Sequence, residues 1–298
     1  MSATTPGAAA TSSTGGSGRR LIVTADDFGL SAAVNAAVIE AHTQGILTAA
    51  SLMVAGAAAN AAVALAHAQP SLAVGLHVVL VDGKPFLSPE RIPDLVGPDG
   101  LFRNDLAKVG AAIFFRPKVA AQVAAEVEAQ FQAFRATGLK LDHVNAHKHY
   151  HLHPTVGRIL LDAARRHGAR AMRVPVEPAP VVRAVTPDAD LGLHRVTGPW
   201  AKLLRAKVRR AGLAAPDQVL GLAWTGAFTA ARLRGALAHL PPGVTEIYLH
   251  PAVSDDVPGG AVGYRYRDEL AALLDPEVKA LAAAFPRGGF RDLPVVLE

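Results

Sequence analysis

Apolar positions along this chain come in two kinds, short solid runs and longer stretches with helical spacing, and the two kinds take turns. The run Leu21-Ile22-Val23-Thr24-Ala25 predicts a buried strand that stops at Asp26-Asp27-Phe28-Gly29, and Ser31 is placed to cap a helix reaching about His42. Residues 47–54 and 72–80 predict strands, with a helix over 57–68 between them. The stretch 82–104, rich in Pro, Gly and Asp, predicts a long functional loop. Pro117 opens a helix to about Ala136, whose Val119, Val123, Val127 and Phe131 recur every fourth residue and mark a buried face. Further on, the pattern predicts a strand over 139–144, a helix from Pro154 to about His167 and a short strand over 171–174. It then predicts irregular chain over 175–198, a strand over 246–249 ending at His250-Pro251, a helix pair across 266–285 and a short terminal strand within 287–298.

Strands that are apolar throughout belong to sheets covered on both faces, and repeated β-α order makes such a sheet parallel. Polar side chains stand at the carboxyl ends of these strands: Asp26 and Asp27, His77, His147, Arg173 and His250. A doubly wound sheet would gather polar strand ends at one crevice, whereas a barrel brings them all to one rim. The fold class expected is therefore α/β, a (β/α) barrel. Residues 1–19, mostly Ser, Thr, Ala and Gly, lack the apolar core of a signal peptide and are expected to form a disordered tail ahead of one domain over 20–298. No run of about 18 apolar residues is present, so no spanning helix is expected.

Composition sharpens this picture in three places. Hydrophobic residues are 50% of the chain and charged residues 18%, enough for a large core. Cysteine is absent, which excludes disulfides, thiolate metal sites and cysteine nucleophiles, and agrees with a cytoplasmic location. The net charge of +5 and pI of about 9.7 suit an anionic partner, either nucleic acid or a membrane surface. Aromatic residues are only 5% and are not interleaved with basic ones, so no nucleic acid is expected. Residues 200–213 favour the membrane: Trp200, Leu203, Leu204, Val208 and Ala211 recur at helical spacing among Lys202, Arg205, Lys207, Arg209 and Arg210. The same stripe would equally suit a surface helix packed on a barrel. An apolar-then-basic stretch at 110–118 adds a second patch, and a homodimer is left open.

The chemistry concentrates at 142–154, where five of the twelve histidines, His143, His147, His149, His151 and His153, fall within eleven residues. Such density points to a metal, a proton relay or both; a solvated polar loop is the plainer alternative. Asp26-Asp27 alone could be a turn, His77 alone a core histidine, and Arg173 alone an ion-pair partner. Their meeting at one rim is the stronger signal. One carboxylate with two imidazoles makes a divalent site with open positions, a second carboxylate can serve as general base and an opposed histidine as general acid. That is equipment for metal-assisted hydrolysis of an amide or ester. Adjacent strand residues point to opposite faces, so Asp26 and Asp27 can share a site only if the backbone leaves strand geometry there, a departure Gly29 would ease.

In Ala25-Asp26-Asp27-Phe28-Gly29-Leu30-Ser31, Gly75-Leu76-His77, His147-x-His149-x-His151 with Pro154, and His250-Pro251, the chain resembles the YdjC-like carbohydrate deacetylases from residue 20 to about 290. The segment 143–149 and the basic region 195–213 are most similar to the hopanoid biosynthesis-associated members. The resemblance implies a distorted (β/α) barrel of the glycoside hydrolase and deacetylase type that removes an acetyl group from an N-acetylated sugar. It implies that Asp27, His77 and His147 hold one divalent ion, zinc or magnesium, that Asp26 is the base, and that His250 is the acid. Arg173 would orient Asp26 or bind the sugar. Members acting on sugar oligomers usually carry Asp-Ser-His where this chain has Asn145-Ala146-His147, and a histidine where it has Lys148. The substrate expected is an N-acetylglucosamine unit, lipid-linked, reached from a cytoplasmic or peripheral inner-membrane position. Soluble chitooligosaccharide deacetylation, another metal-dependent sugar hydrolase or isomerase, a non-catalytic sugar-binding scaffold and a basic nucleic-acid-binding protein are the rival readings.

Overall fold

The computed structural model describes residues 18–293, and of 193–196 the backbone only. Six strands, β1 (Arg19–Phe28), β2 (Ala49–Leu52), β3 (Ala73–Val78), β4 (Val144–Ala146), β5 (Gln218–Leu220) and β6 (Gly243–Leu249), form one sheet in the order β4-β3-β2-β1-β6-β5. Every pairing is parallel, as solidly apolar strands require. The sheet curls until its two edges meet the same stretch of chain. On one side Val144 N–H donates to Ala171 O (3.0 Å) and Arg173 N–H to Val144 O (3.0 Å); on the other Val219 N–H donates to Val176 O (2.9 Å). The expected strand over 171–174 is thus the closing piece of a distorted barrel, held by isolated bridges. Pro175 and Pro178, which cannot donate to a ladder, follow it directly.

Helices coat the outside. The Ser31 side chain caps α1 (Ala32–Gln44) by accepting from Val34 N–H (3.3 Å), as the sequence predicts. α2 (Ala59–Ala68) leads to β3; α3 (Leu106–Phe115) and α4 (Pro117–Ala136) follow the long loop. α4 buries Val119, Val123, Val127 and Phe131, the face read from their spacing. α5 (Pro154–Arg166) opens on Pro154 with His153 as its cap. α9 (Tyr266–Leu274) and α10 (Pro276–Ala282) are the expected pair, and α8 (Ala230–Ala238) precedes β6.

The differences from the sequence reading lie where proline and short length obscure the pattern. The regular strand β4 starts at Val144, not at 139. The stretch 175–198 is not irregular throughout: it contains α6 (Ala179–Val185) and the start of α7 (Gly192–Arg210), with Pro178 flanking one and Pro199 inside the other. Within 287–298, Phe290–Asp292 form a 3-10 turn, and 294–298, where the expected terminal strand would end, lie outside the described residues, as do 1–17 of the expected tail. Arg19, placed in that tail, opens β1.

α7 also decides between the two readings of 200–213. Ala201, Leu204 and Val208 are buried against the body, Trp200 Nε1 donates to Leu152 O, and Arg209 bonds Ala215 O (2.9 Å) and the Asp217 carboxylate (2.7 Å). The stripe packs on the barrel because it is where α7 covers the 3-10 turn that follows β4. Among the described large apolar residues of 200–213, only Leu203 is exposed.

Candidate metal centre and catalytic cleft

At the carboxyl end of β1 the backbone breaks strand geometry to bring two adjacent carboxylates inward. The departure is at Asp27 itself, whose φ is 63°, and the pairing register with β2 slips between Ala25 and Phe28. Gly29 follows with φ 93°, so the turn involves the glycine as expected but begins two residues earlier. Buried Asn35 holds it, accepting from Gly29 N–H (2.8 Å) and donating to Ala58 O (3.0 Å).

Asp27 then meets His77 from β3 and His147 just past β4. Its Oδ1 lies 3.3 Å from His77 Nε2 and 3.3 Å from His147 Nδ1, and those two nitrogens are 3.3 Å apart. This equilateral set of donor atoms forms the group among the described residues that could hold a metal ion. Asp27 Oδ1 is buried without a hydrogen-bond partner, an orphaned acceptor of the kind an ion would satisfy. Burial opposes ionisation of Asp27, yet His147 and His77 outweigh it and hold the carboxyl well below its usual range. Carboxylate and imidazoles therefore fit a divalent ion in charge, spacing and donor chemistry.

Asp26 points beside this set. Its burial is outweighed by Arg173 and His77, which keep it ionised far below the ordinary carboxylate range. Arg173, fully buried, forks onto both Asp26 oxygens (2.5 and 3.0 Å) and onto Glu246 Oε1 (2.8 and 2.5 Å), and its guanidinium carbon lies 4.7 Å from the Tyr248 ring centroid. Four of its five N–H groups are committed to Asp26 and Glu246, so the guanidinium orients Asp26 from behind and does not itself line the cleft. His250 opens onto the same cleft, a cavity of about 310 Å³ also lined by Asp26, Asp27, His77, His147 and Tyr248. The His250 backbone N–H is held by buried Glu269, and its ring leans edge-on to Tyr264 (5.1 Å). A second cavity of about 310 Å³ shares Asp82, His147 and Gly259 with the first and extends it along the loop after β3.

The five clustered histidines divide their work. Only His147 joins the metal group. His149 Nε2 meets the Tyr248 hydroxyl (2.9 Å) at the cleft wall. His151 is completely buried, and burial with Arg173 nearby lowers it to about 3. His153 caps α5, and His143 pairs with Asp142 (3.0 Å) below the site. Lys148 and His149 both take left-handed backbone (φ 52° and 51°), which turns the chain tightly enough to present His147 and His149 to the same cleft. Lys148 pairs with Asp82 on the cavity rim.

Sequence reasoning did not single out Glu246, Ser51, Tyr248 or Glu269. Glu246 and Tyr248 stand four and two residues before His250 and so share its face of β6, a period-two signal present in the sequence. Glu269 gave no such signal, because it arrives from α9.

The family model described as YdjC-like protein matches residues 20–284. A Homo sapiens relative named carbohydrate deacetylase is 34% identical, with 89% of this chain and 87% of the relative covered. One from Geobacillus stearothermophilus with the same name is 32% identical over 88% of this chain and 92% of its own length. One from Brevibacillus brevis is 40% identical, over 53% of this chain and 58% of the relative. Among solved structures, an Enterococcus faecalis protein provisionally assigned to cellobiose-phosphate cleavage is similar with a TM-score of 0.71 and 25% identity, covering 91% of this chain and 97% of that one.

Proposed function

The chain belongs to the YdjC-like family, and on that premise we propose that it is a metal-dependent carbohydrate N-deacetylase, a hydrolase acting on the acetamide of an N-acetylglucosamine unit. The observation that carries the reading is the triangle of Asp27, His77 and His147 donor atoms with 3.3 Å edges, set beside a second, independently held carboxylate. Two imidazoles with one carboxylate would favour zinc over magnesium on ligand chemistry.

A divalent ion bound there supplies Lewis acidity toward the amide carbonyl and toward water. Asp26, ionised and fixed by Arg173, accepts the proton of the attacking water. His250 donates a proton to the departing nitrogen, which is otherwise a poor leaving group. Arg173 keeps Asp26 aligned through both steps, and Tyr248, bonded to His149 and to Thr225 (3.0 Å), closes the cleft wall.

The acceptor proposed is lipid-linked, of the hopanoid type, and the supporting surface is α3 rather than 200–213. Leu106 at the start of α3 lines the catalytic cavity, while Phe114 (56% exposed) and Phe115 (77% exposed) stand out at its end, followed by Arg116 and Lys118, which share the Asp94 carboxylate (2.9 and 3.8 Å). An exposed aromatic edge of this kind suits a membrane interface through its apolar area more than through free charge. No helix among the described residues is long and apolar enough to cross one. Acetate release from N-acetylglucosaminyl lipid and from soluble chitooligosaccharides tests both levels. Release that stops on chelation supports the deacetylase, and release of other products without acetate refutes it. Phe114→Ser with Phe115→Ser should lower turnover of the lipid-linked sugar alone; an equal effect on both substrates refutes the lipid acceptor.

A further inference from the structure

Behind the metal group lies a second line of buried polar side chains that the catalytic reading does not use. Asn145 stands opposite His77 in the β3–β4 register and is fully buried. Its Oδ1 is 2.7 Å from His77 Nδ1, and its Nδ2 donates to Asp26 Oδ1 (3.2 Å) and to Ser51 Oγ (2.9 Å). Ser51 Oγ is 3.0 Å from His143 Nε2, and His143 Nδ1 is 3.0 Å from Asp142 Oδ2. Asp142 in turn accepts the backbone N–H groups of Phe290 (3.0 Å) and Arg291 (2.9 Å). The line crosses β3 at Gly75, where a Cβ would come within 2.5 Å of the His143 ring. Only a glycine lets His143 reach Ser51 over that strand.

Ser51, His143 and Asp142 stand in the order of a nucleophilic triad, but Ser51 is 0% exposed, so no substrate reaches it. What the line does carry is direction. Backbone amides can only donate, so Asp142 accepts from them and also from His143 Nδ1–H. His143 Nε2 then accepts the Ser51 hydroxyl proton, and Ser51 Oγ accepts from the Asn145 amide. With both amide hydrogens committed to Ser51 and Asp26, the Asn145 carbonyl oxygen faces His77 and accepts its Nδ1–H. The reverse amide orientation would set that oxygen 3.2 Å from the ionised Asp26 carboxylate, so both ends of the line demand the same sense.

We infer that Asp142, His143, Ser51 and Asn145 form a polarity relay that fixes His77 in its Nδ1–H tautomer, leaving the Nε2 lone pair aimed at Asp27 Oδ1 and His147 Nδ1. The relay is anchored at the 289–291 segment and acts through His77, so Ser51, His143 and Asp142 are positioning residues. Its consequence for metal affinity rests on the proposed metal centre; its consequence for the tautomer does not.

Ser51→Ala tests it, because Ser51 touches neither His77 nor either of the other two metal-group residues. In ¹⁵N imidazole spectra of the metal-free full chain at alkaline pH, where the ring is uncharged, the native protein should show His77 as the Nδ1–H tautomer alone. Ser51→Ala should show a mixture, with a zinc dissociation constant, read against a competing chelator, raised by about 10-fold or more, as loss of outer partners of metal ligands typically gives. Thr24→Val removes an equally buried hydroxyl that has no partner and should change neither reading. A single tautomer with native zinc affinity in Ser51→Ala would overturn the relay. If that variant does not fold, His143→Phe, which keeps the ring stacked on Phe290 (4.1 Å), carries the same expectation and the same overturning result. If native protein binds no zinc, the metal reading fails while the tautomer comparison still decides the relay.

Discussion

Single residues here depart from local preference where the chemistry needs them to. Asp27 holds a left-handed backbone that costs an ordinary side chain roughly 1–2 kcal/mol, and it does so to turn its carboxylate toward two imidazoles. Asp27→Gly and Asp27→Ala both delete the carboxylate, but only glycine is free of that strain. In metal-free protein, Asp27→Gly should be the more stable of the two by about 1 kcal/mol in chemical denaturation, against the usual preference for alanine; equal stabilities would mean the turn carries no strain. His151 gives a pH prediction. Burial and Arg173 lower it to about 3, whereas the unfolded chain takes up the proton near 6.5. Between those values the unfolded state binds the extra proton, so stability falls as pH drops through that window and is unaffected by this group above it. Comparing native protein with His151→Phe between pH 7 and 4.5 should show the native protein losing stability faster; parallel curves would contradict the assignment. That Asp26, Asp27, His77, His147 and His250 gather at one cleft was legible because polar side chains at the ends of apolar strands stand out. The individual tasks of the five histidines were not, since neighbours in sequence alternate between the cleft, the core and a helix cap.

Elements read from periodicity appear where that periodicity is strong, as in α4 and β1, and fail where three or four residues suffice, as in β5. The apolar face of α4 was plain in Val119, Val123, Val127 and Phe131. Its second stripe, Gln122, Glu126 and Gln130, looks in sequence like a solvated face, yet all three are buried. Glu126 accepts from Phe86 N–H (2.8 Å) and Leu87 N–H (2.9 Å), Gln122 from Asp94 N–H (3.0 Å) and Gln130 from Val79 N–H (3.0 Å), so α4 holds the loop that brings Asp82 to the cleft. Glu126→Leu leaves one buried and one part-buried backbone donor unpaired and should cost about 2–3 kcal/mol in stability. It should also raise KM for the sugar more than it lowers kcat, because the loop borders the cavity without touching the proposed metal group. Unchanged KM in a folded Glu126→Leu protein would separate the loop from substrate binding.

Across the whole molecule, parallel strand order and polar strand ends together were enough to indicate a barrel. Its closure was not legible, because the closing segment 170–176 is joined by isolated bridges and interrupted by Pro175. The interior explains why the rim can be so polar. Thr24, Asp26, Ser51, His77, Asn145 and Glu246 are all buried, and this fill makes the barrel a scaffold for oriented charge as much as an apolar core. The basic net charge suggested a partner, but in α7 two arginines bond the chain's own 215–217 segment, so charge counting overstated what is free. On the proposed mechanism, one ion held by Asp27, His77 and His147 is required for amide hydrolysis, and titrating chelator-treated protein with zinc while following acetate release from an N-acetylglucosamine substrate tests that requirement. Release should start from near zero, rise linearly and level at one ion per chain, with no rise in His147→Ala; full acetate release by the metal-free protein would rule the requirement out.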